Sequence, residues 1–402
     1  MQMLSKFLDR PRNYFSVLNK KIQRRIRKTK VISLKPEKST QGNVLISYII
    51  EPFLLKPNQS ISNIHTSHWE SWQIAKIFVD LGYSVDFIAF DNKTFIPKKD
   101  YKLFIDIRFN FARLVPLLNQ DCIKILHSDT AHILFQNVAE CNRLLALQAR
   151  RGVSLRPRRF ETPTQAVEQA DCVTVLGNEF TIATFKYANK PIYRIPISTP
   201  GLYPWSEEKD FEACRYHWLW FGSRGMVHKG LDLVLDAFAE MPDYHLTVCG
   251  PVQAEQDFKD AFYQELYQAS NIKTIGWVNT NNPEFIQITN SCVGLIYPSC
   301  SEGGGGSAIQ CMHAGLIPVV SYETSVDVDD SFGVILKQSS IEEIKHVIQR
   351  LSRLPAQELQ QMARNAWEFA RANHTKESFI AGYRQVIDQI ITDYHNKDQQ
   401  PQ

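Results

Sequence analysis

Four consecutive glycines stand directly behind a carboxylate in Ser301-Glu302-Gly303-Gly304-Gly305-Gly306-Ser307. An apolar run, Gly294-Leu295-Ile296-Tyr297, precedes them, and another, Ile317-Pro318-Val319-Val320, follows. That placement predicts a tight strand-to-helix turn rather than a flexible linker. Bare N–H groups at a helix N-terminus form an anion site, because the unpaired donors and the helix dipole both favour negative charge. Glycine also admits the φ > 0 angles such a turn uses. A second turn, Phe221-Gly222-Ser223-Arg224-Gly225-Met226-Val227-His228-Lys229-Gly230, offers small residues for close backbone approach and two cations, Arg224 and Lys229. A guanidinium grips phosphate oxygens bidentately, while an ammonium acts as a point charge. Alone, either turn also reads as an ordinary solvated loop. Together, at the carboxyl edge of one parallel sheet, they make a cradle for a diphosphate.

The elements that must position these turns follow from the hydrophobic pattern. Short apolar runs at Val44–Ile50, Val85–Phe90, Leu103–Ile107, Ile123–Leu126, Val173–Leu176 and Ile192–Ile195 read as buried parallel strands. After a break at Thr199-Pro200-Gly201-Leu202-Tyr203-Pro204 the pattern restarts, with strands at Trp218–Phe221, Leu246–Val248, Thr274–Ile275, Val293–Ile296 and Pro318–Ser321. Helical spacing marks Leu231, Val234, Leu235 and Phe238, then Ile341 through Leu351, then Phe379 through Tyr394. The expected architecture is α/β: two Rossmann-like doubly wound domains facing a cleft, with a C-terminal helix that caps the second domain or crosses back to the first. The expected boundaries are a basic extension at 1–41, domains at 42–198 and 215–372, a linker at 199–214, and a final helix at 373–396.

Of 402 residues, 44% are hydrophobic and 22% charged, ordinary for a globular protein. Eight scattered cysteines without a C-x-x-C pair point to reduced, buried thiols and a cytoplasmic chain. No run is long and apolar enough to span a bilayer. Charge is uneven. Residues 1–41 carry twelve Lys/Arg against Asp9 and Glu37, a net +10, which leaves −7 for the rest of a chain whose total is +3. With Leu4, Phe7, Leu8, Tyr14, Phe15 and Leu18 interleaved, this leader suits the anionic inner face of a membrane, or else a solvated tail. Nucleic-acid binding fits poorly, because the remainder is acidic and lacks a reading motif.

The order Gly-Ser-Arg…Lys-Gly, then Gly276-Trp277-Val278, then Glu302-Gly-Gly-Gly…Gly315-Leu-Ile-Pro318-Val319 resembles the retaining glycosyltransferases of family 4, which have the two-domain GT-B fold. The likeness is strong over about 215–322, rests on architecture over 42–198, and does not cover 1–41. It implies transfer of a sugar from a nucleotide-diphosphate sugar to an acceptor hydroxyl with retained anomeric configuration, without an essential metal. By that resemblance Arg224 and Lys229 bind the diphosphate and Glu302 contacts the donor sugar. Gly303, Gly304, Gly305, Gly306 and Ser307 supply amides, with Gly222 and Ser223 in the first turn. The main chain at Gly276, Trp277 and Val278 meets the nucleobase. The acceptor is a glycan, lipid or small molecule.

Departures from the pattern are informative. Gln310 stands where the family has a second glutamate, which binds the donor ribose. Exchanging a charge-assisted bond for a neutral one should weaken donor binding by about 1 kcal/mol. The exchange also admits an alternative, a non-catalytic GT-B-like protein that binds a nucleotide or glycan. On the acceptor side, Ser62–Ser71 replaces the usual glycine-rich loop and brings His65, His68 and Trp69, which either shape a site or merely begin a helix. His127 ends a strand where the family often has a cleft histidine, with His132 a competitor. Arg143, Arg150, Arg151, Arg156, Arg158 and Arg159 attract an anionic acceptor or lipid headgroups, or lie solvated at a helix end and loop. Asp327-Val328-Asp329-Asp330 mimics a metal-binding D-x-D but reads as a polar loop.

Overall fold

The computed structural model describes residues 27–38, 40–61 and 66–398. Its strands are β1 Val31–Leu34, β2 Asn43–Tyr48, β3 Ser84–Ala89, β4 Leu103–Asp106, β5 Ile123–Ser128, β6 Cys172–Val175, β7 Ile192–Arg194, β8 His217–Phe221, β9 His245–Cys249, β10 Ile272–Gly276, β11 Gly294–Tyr297, β12 Ile317–Ser321 and β13 Val334–Leu336. They form a seven-stranded sheet, order β1-β3-β2-β4-β5-β6-β7, and a six-stranded sheet, order β10-β9-β8-β11-β12-β13. The helices of eight residues or more are α1 Thr66–Asp80, α2 Ile133–Arg151, α3 Leu231–Ala239, α4 Pro283–Asn290, α5 Gly306–His313, α6 Ile341–Ser352, α7 Ala356–Asn373 and α8 Lys376–Asp398. The chain is α/β with two Rossmann-like parallel sheets, as the alternation of apolar runs and helical spacing predicts.

By contacts the chain divides into two compact units. One contains the described residues before position 62, with 67–127 and 164–171; the other contains 128–163 and 172–398. In the first unit, β2 pairs in parallel with β3 and β4, and Val44, Ile46, Val85, Phe87, Leu103 and Ile105 are buried. The edge strand β1 runs antiparallel to β3 and lies inside the stretch read from the sequence as a basic extension. Its four residues alternate between exposed and half-buried, and flanking lysines and arginines dilute so short a signal. Two of those cations are committed here: Arg27 lies 2.9 Å from Asp91 and also pairs with Glu51, while Lys28 lies 2.9 Å from Asp91. Residues 1–26, the remainder of the expected membrane-binding leader, lie outside the described residues.

In the second unit the six-stranded sheet is covered on both faces. Trp218, Trp220, Val248, Ile296 and Val319 pack with Val234, Phe238, Ile344 and Ile348 on one side. Leu219, Leu295, Tyr297 and Val320 pack with Phe285, Ile309, Met312 and Ala366 on the other. Successive strand residues thus alternate between two cores, the expected state of a parallel strand. The segment expected to be a linker is built into this unit: Thr199, Tyr203, Lys209 and Phe211 are all buried. The last helix, α8, returns to β7, where the Tyr193 hydroxyl donates to Asp393 at 2.6 Å. All eight cysteines are free, and all but Cys141 are buried. No described helix is long and apolar enough to cross a membrane.

The arginines after α2 begins are largely neutralised, contrary to their reading as an open basic surface. Arg150 reaches Asp232 at 2.8 Å and Asp236 at 2.6 Å; Arg151 pairs with Asp236 and Glu265; Arg158 pairs with Asp257. Their carboxylate partners lie more than eighty residues away in sequence, which is why residue type alone suggested free charge. Asp232 is fully buried, so removing its guanidinium leaves an uncompensated charge. Replacing Arg150 with alanine is expected to destabilise the protein by about 3 kcal/mol, read from the denaturant midpoint. Replacing the exposed Arg156 should change it by less than about 0.5 kcal/mol.

Candidate functional site

The two turns singled out by residue type meet in the second unit. The first, after β8, is shaped by Gly225 (φ 95°) and Gly230 (φ 74°). A buried carboxylate holds it, with Glu255 accepting from the N–H groups of Gly225 at 2.5 Å and Met226 at 3.2 Å. The second turn, after β11, is joined to the first by main chain and side chain alike. His228 donates from Nε2 to the Ser301 carbonyl at 2.6 Å, and its own carbonyl accepts from the Cys300 N–H at 2.8 Å and the Ser299 hydroxyl at 3.3 Å. Burial lowers His228 to about 4, so the ring is neutral and carries its proton toward Ser301.

Beside this join lies a buried ion pair. Lys229 donates to Glu302 Oε1 at 2.6 Å and to the Tyr297 hydroxyl at 2.7 Å. Tyr297 and Ser299 each donate to the same carboxylate oxygen at 2.9 Å. Burial works to raise the Glu302 acid, but Lys229, His228 and Arg159 outweigh it and hold the group at about 2. Burial pushes the Lys229 ammonium below its ordinary range, opposed by Glu302, and raises the Tyr297 phenol. Glu302 Oε1 is saturated by three donors; Oε2 has no partner among the described residues and is not fully enclosed. An ammonium has three protons, and two of the Lys229 set are used.

The glycines divide by task. A Cβ on Gly303 would lie 2.5 Å from the main chain of Asp129 and Thr130, so Gly303 permits close packing. Gly304 (φ 125°) and Gly305 (φ 52°) make the turn itself. Gly306 opens α5 with only Ile197 within 4 Å of its added Cβ. The N–H groups of Gly304, Gly305, Gly306 and Ser307 have no acceptor among the described residues, while Ala308 and Ile309 bond back to the Gly305 carbonyl. Four donors in the turn that follows Glu302 are therefore without a protein acceptor, two of them on buried glycines and two on the half-buried Gly306 and Ser307.

Not every expected residue joins this cluster. Arg224 is exposed and makes no ion pair among the described residues. Gly222 serves packing, since its Cβ would sit 2.8 Å from the Trp220 ring; Ser223 beside it is half-buried. Gly276 (φ 94°) ends β10, Trp277 is half exposed and Val278 is buried. Gln310 is buried, with its amide committed to Thr199 and Tyr203. In the first unit, His127 is fully buried at the end of β5, edge-on to Tyr48. His68 and Trp69 lie half-buried in the first turn of α1, and His65 lies outside the described residues. His132 caps α2 by accepting from the Leu134 N–H. In the acidic string, Asp327 pairs with Arg194 at the end of β7, while Asp329 accepts from the Ser331 N–H within the loop.

Sequence reasoning gave no site role to His228, Tyr297, Ser299 or Glu255, and placed Arg159 only within a basic stretch that attracts an anionic acceptor, not beside the glycine turns. The stem of Arg159 crosses Gly225, where an added Cβ would meet its Cγ at 2.9 Å. Its main chain is clamped, with the N–H bonded to both Glu140 oxygens and the carbonyl accepting from Gln136. It makes no ion pair among the described residues, unlike Arg150, Arg151 and Arg158. A glycine facing a distant arginine is the one hint the chain offered, and it could not be read without the fold.

Residues 219–369 match the family described as Glycosyl transferases group 1. No curated relative matches the chain. Among solved structures it is similar to sucrose-phosphate synthase from Thermosynechococcus elongatus, with a TM-score of 0.61 and 16% identity over 88% of this chain and 100% of that one. It is also similar to HepE of Anabaena in complex with UDP, with a TM-score of 0.53 and 14% identity over 88% of this chain and 100% of that one. HepE in complex with UDP-glucose gives 0.51 and 14% over 88% and 99%. At these identities the shared property is the fold, and that fold is GT-B.

Two expectations follow from the geometry. Gly306→Ala should be tolerated to within about 0.5 kcal/mol. Gly305→Ala, which adds a positive-φ penalty and a Cβ 2.4 Å from Val326, should cost about 3 kcal/mol or more. Thermal melting distinguishes them. The second concerns acid. Glu302 is depressed from 4.5 to about 2, so its stabilisation is complete above pH 4.5 and is lost as pH falls toward 2. That amounts to about 3 kcal/mol. In Glu302→Gln the acid-induced loss across this window should shrink by about that amount, on top of lower stability at neutral pH from the unpaired Lys229.

Proposed function

We propose that the protein is a nucleotide-sugar-dependent glycosyltransferase that retains anomeric configuration and needs no essential metal. The observation that carries this reading is the junction of Lys229, Glu302 and the open N–H groups of Gly304 to Ser307. A diphosphate against those N–H groups would meet the third Lys229 proton and the helix dipole of α5. Arg224 on the adjoining turn and Arg159 across Gly225 would add mobile and fixed positive charge. The open Oε2 of Glu302 would accept from hydroxyls of the donor sugar, oriented because its twin oxygen is immobilised. HepE was solved with UDP and with UDP-glucose, which supports the same ligand class for this fold.

In the reaction the bond from the anomeric carbon to the diphosphate oxygen breaks, and the acceptor oxygen bonds to that carbon from the same face. The acceptor proton passes to the departing phosphate oxygen, so no side-chain base is required. Negative charge grows on the diphosphate as the sugar becomes oxocarbenium-like. Preorganised cations and amides act on that growing charge, the kind of contribution whose single loss costs about 10²–10³ in rate. His127 is proposed near the transferred sugar, and His65, His68 and Trp69 for the acceptor side, where a glycan, lipid or small-molecule hydroxyl would enter.

A thermal-shift panel of UDP-, dTDP-, GDP- and ADP-sugars tests the reading, because a donor at ~100 Kd raises stability by about 2.7 kcal/mol. Lys229→Ala should cut kcat/KM by about 10²–10³. Arg159→Ala and Arg224→Ala should each cut it by at least about tenfold, at the cost of one charge-assisted bond. Anomeric proton couplings in the product report retention. A panel with no shift, or full turnover by Lys229→Ala, would refute the proposal.

A further inference from the structure

Gln310 occupies the position where the family resemblance puts a ribose-binding carboxylate, yet its amide faces inward. Gln310 is 2% exposed. Its Oε1 lies 3.1 Å from the Thr199 hydroxyl, whose one proton it shares with the Gly201 carbonyl at 3.0 Å, and its Nε2 donates to the Tyr203 hydroxyl. That hydroxyl donates onward to the Thr280 carbonyl at 2.9 Å. A phenol has one proton; once it is given to Thr280, its oxygen only accepts. Residue 310 must therefore offer a donor. An amide has one, whereas an ionised carboxylate would draw the Tyr203 proton to itself and strip the Thr280 carbonyl of its partner.

Thr280 belongs to the loop 277–282 between β10 and α4. Within the loop, Asn279 bonds to the N–H groups of Asn281 and Asn282, each at 3.0 Å, and Asn282 accepts from the Phe285 N–H of α4 at 3.1 Å; among the described residues Tyr203 is the side chain that ties the loop to the rest of the unit. Tyr203 is fixed at its other end as well. Its carbonyl accepts from Trp367 Nε1 at 3.0 Å, and its ring packs on Phe285 with centroids 5.4 Å apart. Resting on the transferase reading, in which the main chain of this loop meets the nucleobase, we propose that Gln310 is a positioning residue: through Tyr203 it sets the loop for the donor base instead of itself binding the ribose.

The two roles predict opposite signs for Gln310→Glu. A ribose ligand would gain a charge-assisted bond, and nucleotide affinity would rise at neutral pH. A positioning residue would lose its donor, and affinity would fall. Protonation restores a donor, and burial favours the neutral acid, so the defect should reverse as pH falls. The neighbouring groups do not confuse the reading. Burial, aided by Cys311, raises Tyr203, burial raises Cys311, and Lys209, lowered to about 8 by burial, keeps its charge below that pH.

The experiment uses the full chain and the nucleoside diphosphate, among UDP, dTDP, GDP and ADP, that wild type binds most tightly. Affinity is measured calorimetrically at about pH 5 and about pH 7, on either side of a buried acid's titration. Hydrogen exchange of amides 277–282 is measured on ligand-free protein at both values. Gln310→Glu should bind about tenfold more weakly at the higher pH, lose loop protection in proportion, and recover both at the lower. Tyr203→Phe should show the same losses at both values. Unchanged or tighter binding by Gln310→Glu, or unchanged loop exchange in both variants, overturns the proposal. Wild type binding none of the four nucleotides would instead remove the transferase reading, with loop exchange still deciding whether Gln310 positions the loop.

Discussion

The contact between Lys229 and Glu302 organises this half of the molecule. Each partner would be untenable alone in so buried a place, since an unpaired ion there costs several kcal/mol. Their attraction therefore demands that two turns, one after β8 and one after β11, stay in register. The surrounding groups serve that demand. Glu255 holds the first turn by its N–H groups, His228 ties it to the second, and Tyr297 with Ser299 completes the shell around one carboxylate oxygen. Among the described residues the groups left without partners are mostly positive: N–H groups at a helix start, a spare ammonium proton, and two arginines without carboxylates, set against the one free oxygen of Glu302.

Much of the framework was legible in the chain. Buried parallel strands read as continuous apolar runs, and eleven of them were placed to within a few residues. The exceptions are instructive. Val31–Leu34 and Val334–Leu336 are edge strands of four and three residues, too short for periodicity and flanked by polar neighbours. The meeting of the two turns was legible because both were placed at the ends of strands of one parallel sheet, although it is Lys229 and His228 that join them, not Arg224. Their internal wiring was not, because nothing in residue type says which carboxylate will clamp a loop and which will pair with an arginine.

The segment from Thr199 to Cys214 shows how local composition misleads. Prolines and polar residues there suggested a connector between domains. Yet Lys209 is buried, donating to the carbonyls of Gly315 at 2.9 Å and Thr289 at 3.2 Å, and Asp210 caps a short turn. Burial of an ammonium is tolerable where carbonyls replace water, and such partners come from distant elements that a local window cannot contain. Arg150, Arg151 and Arg158 teach the same lesson with the sign reversed, since part of a basic run became matched pairs.

The join between the turns is written partly in main-chain atoms. The Cys300 N–H and the His228 carbonyl exist whatever side chains those positions carry, and only proline at 300 would delete the donor. Half of the architecture is thereby insulated from drift in residue identity. Side chains at these two positions can change without removing that hydrogen bond, so the juxtaposition of the turns does not rest on residue identity there.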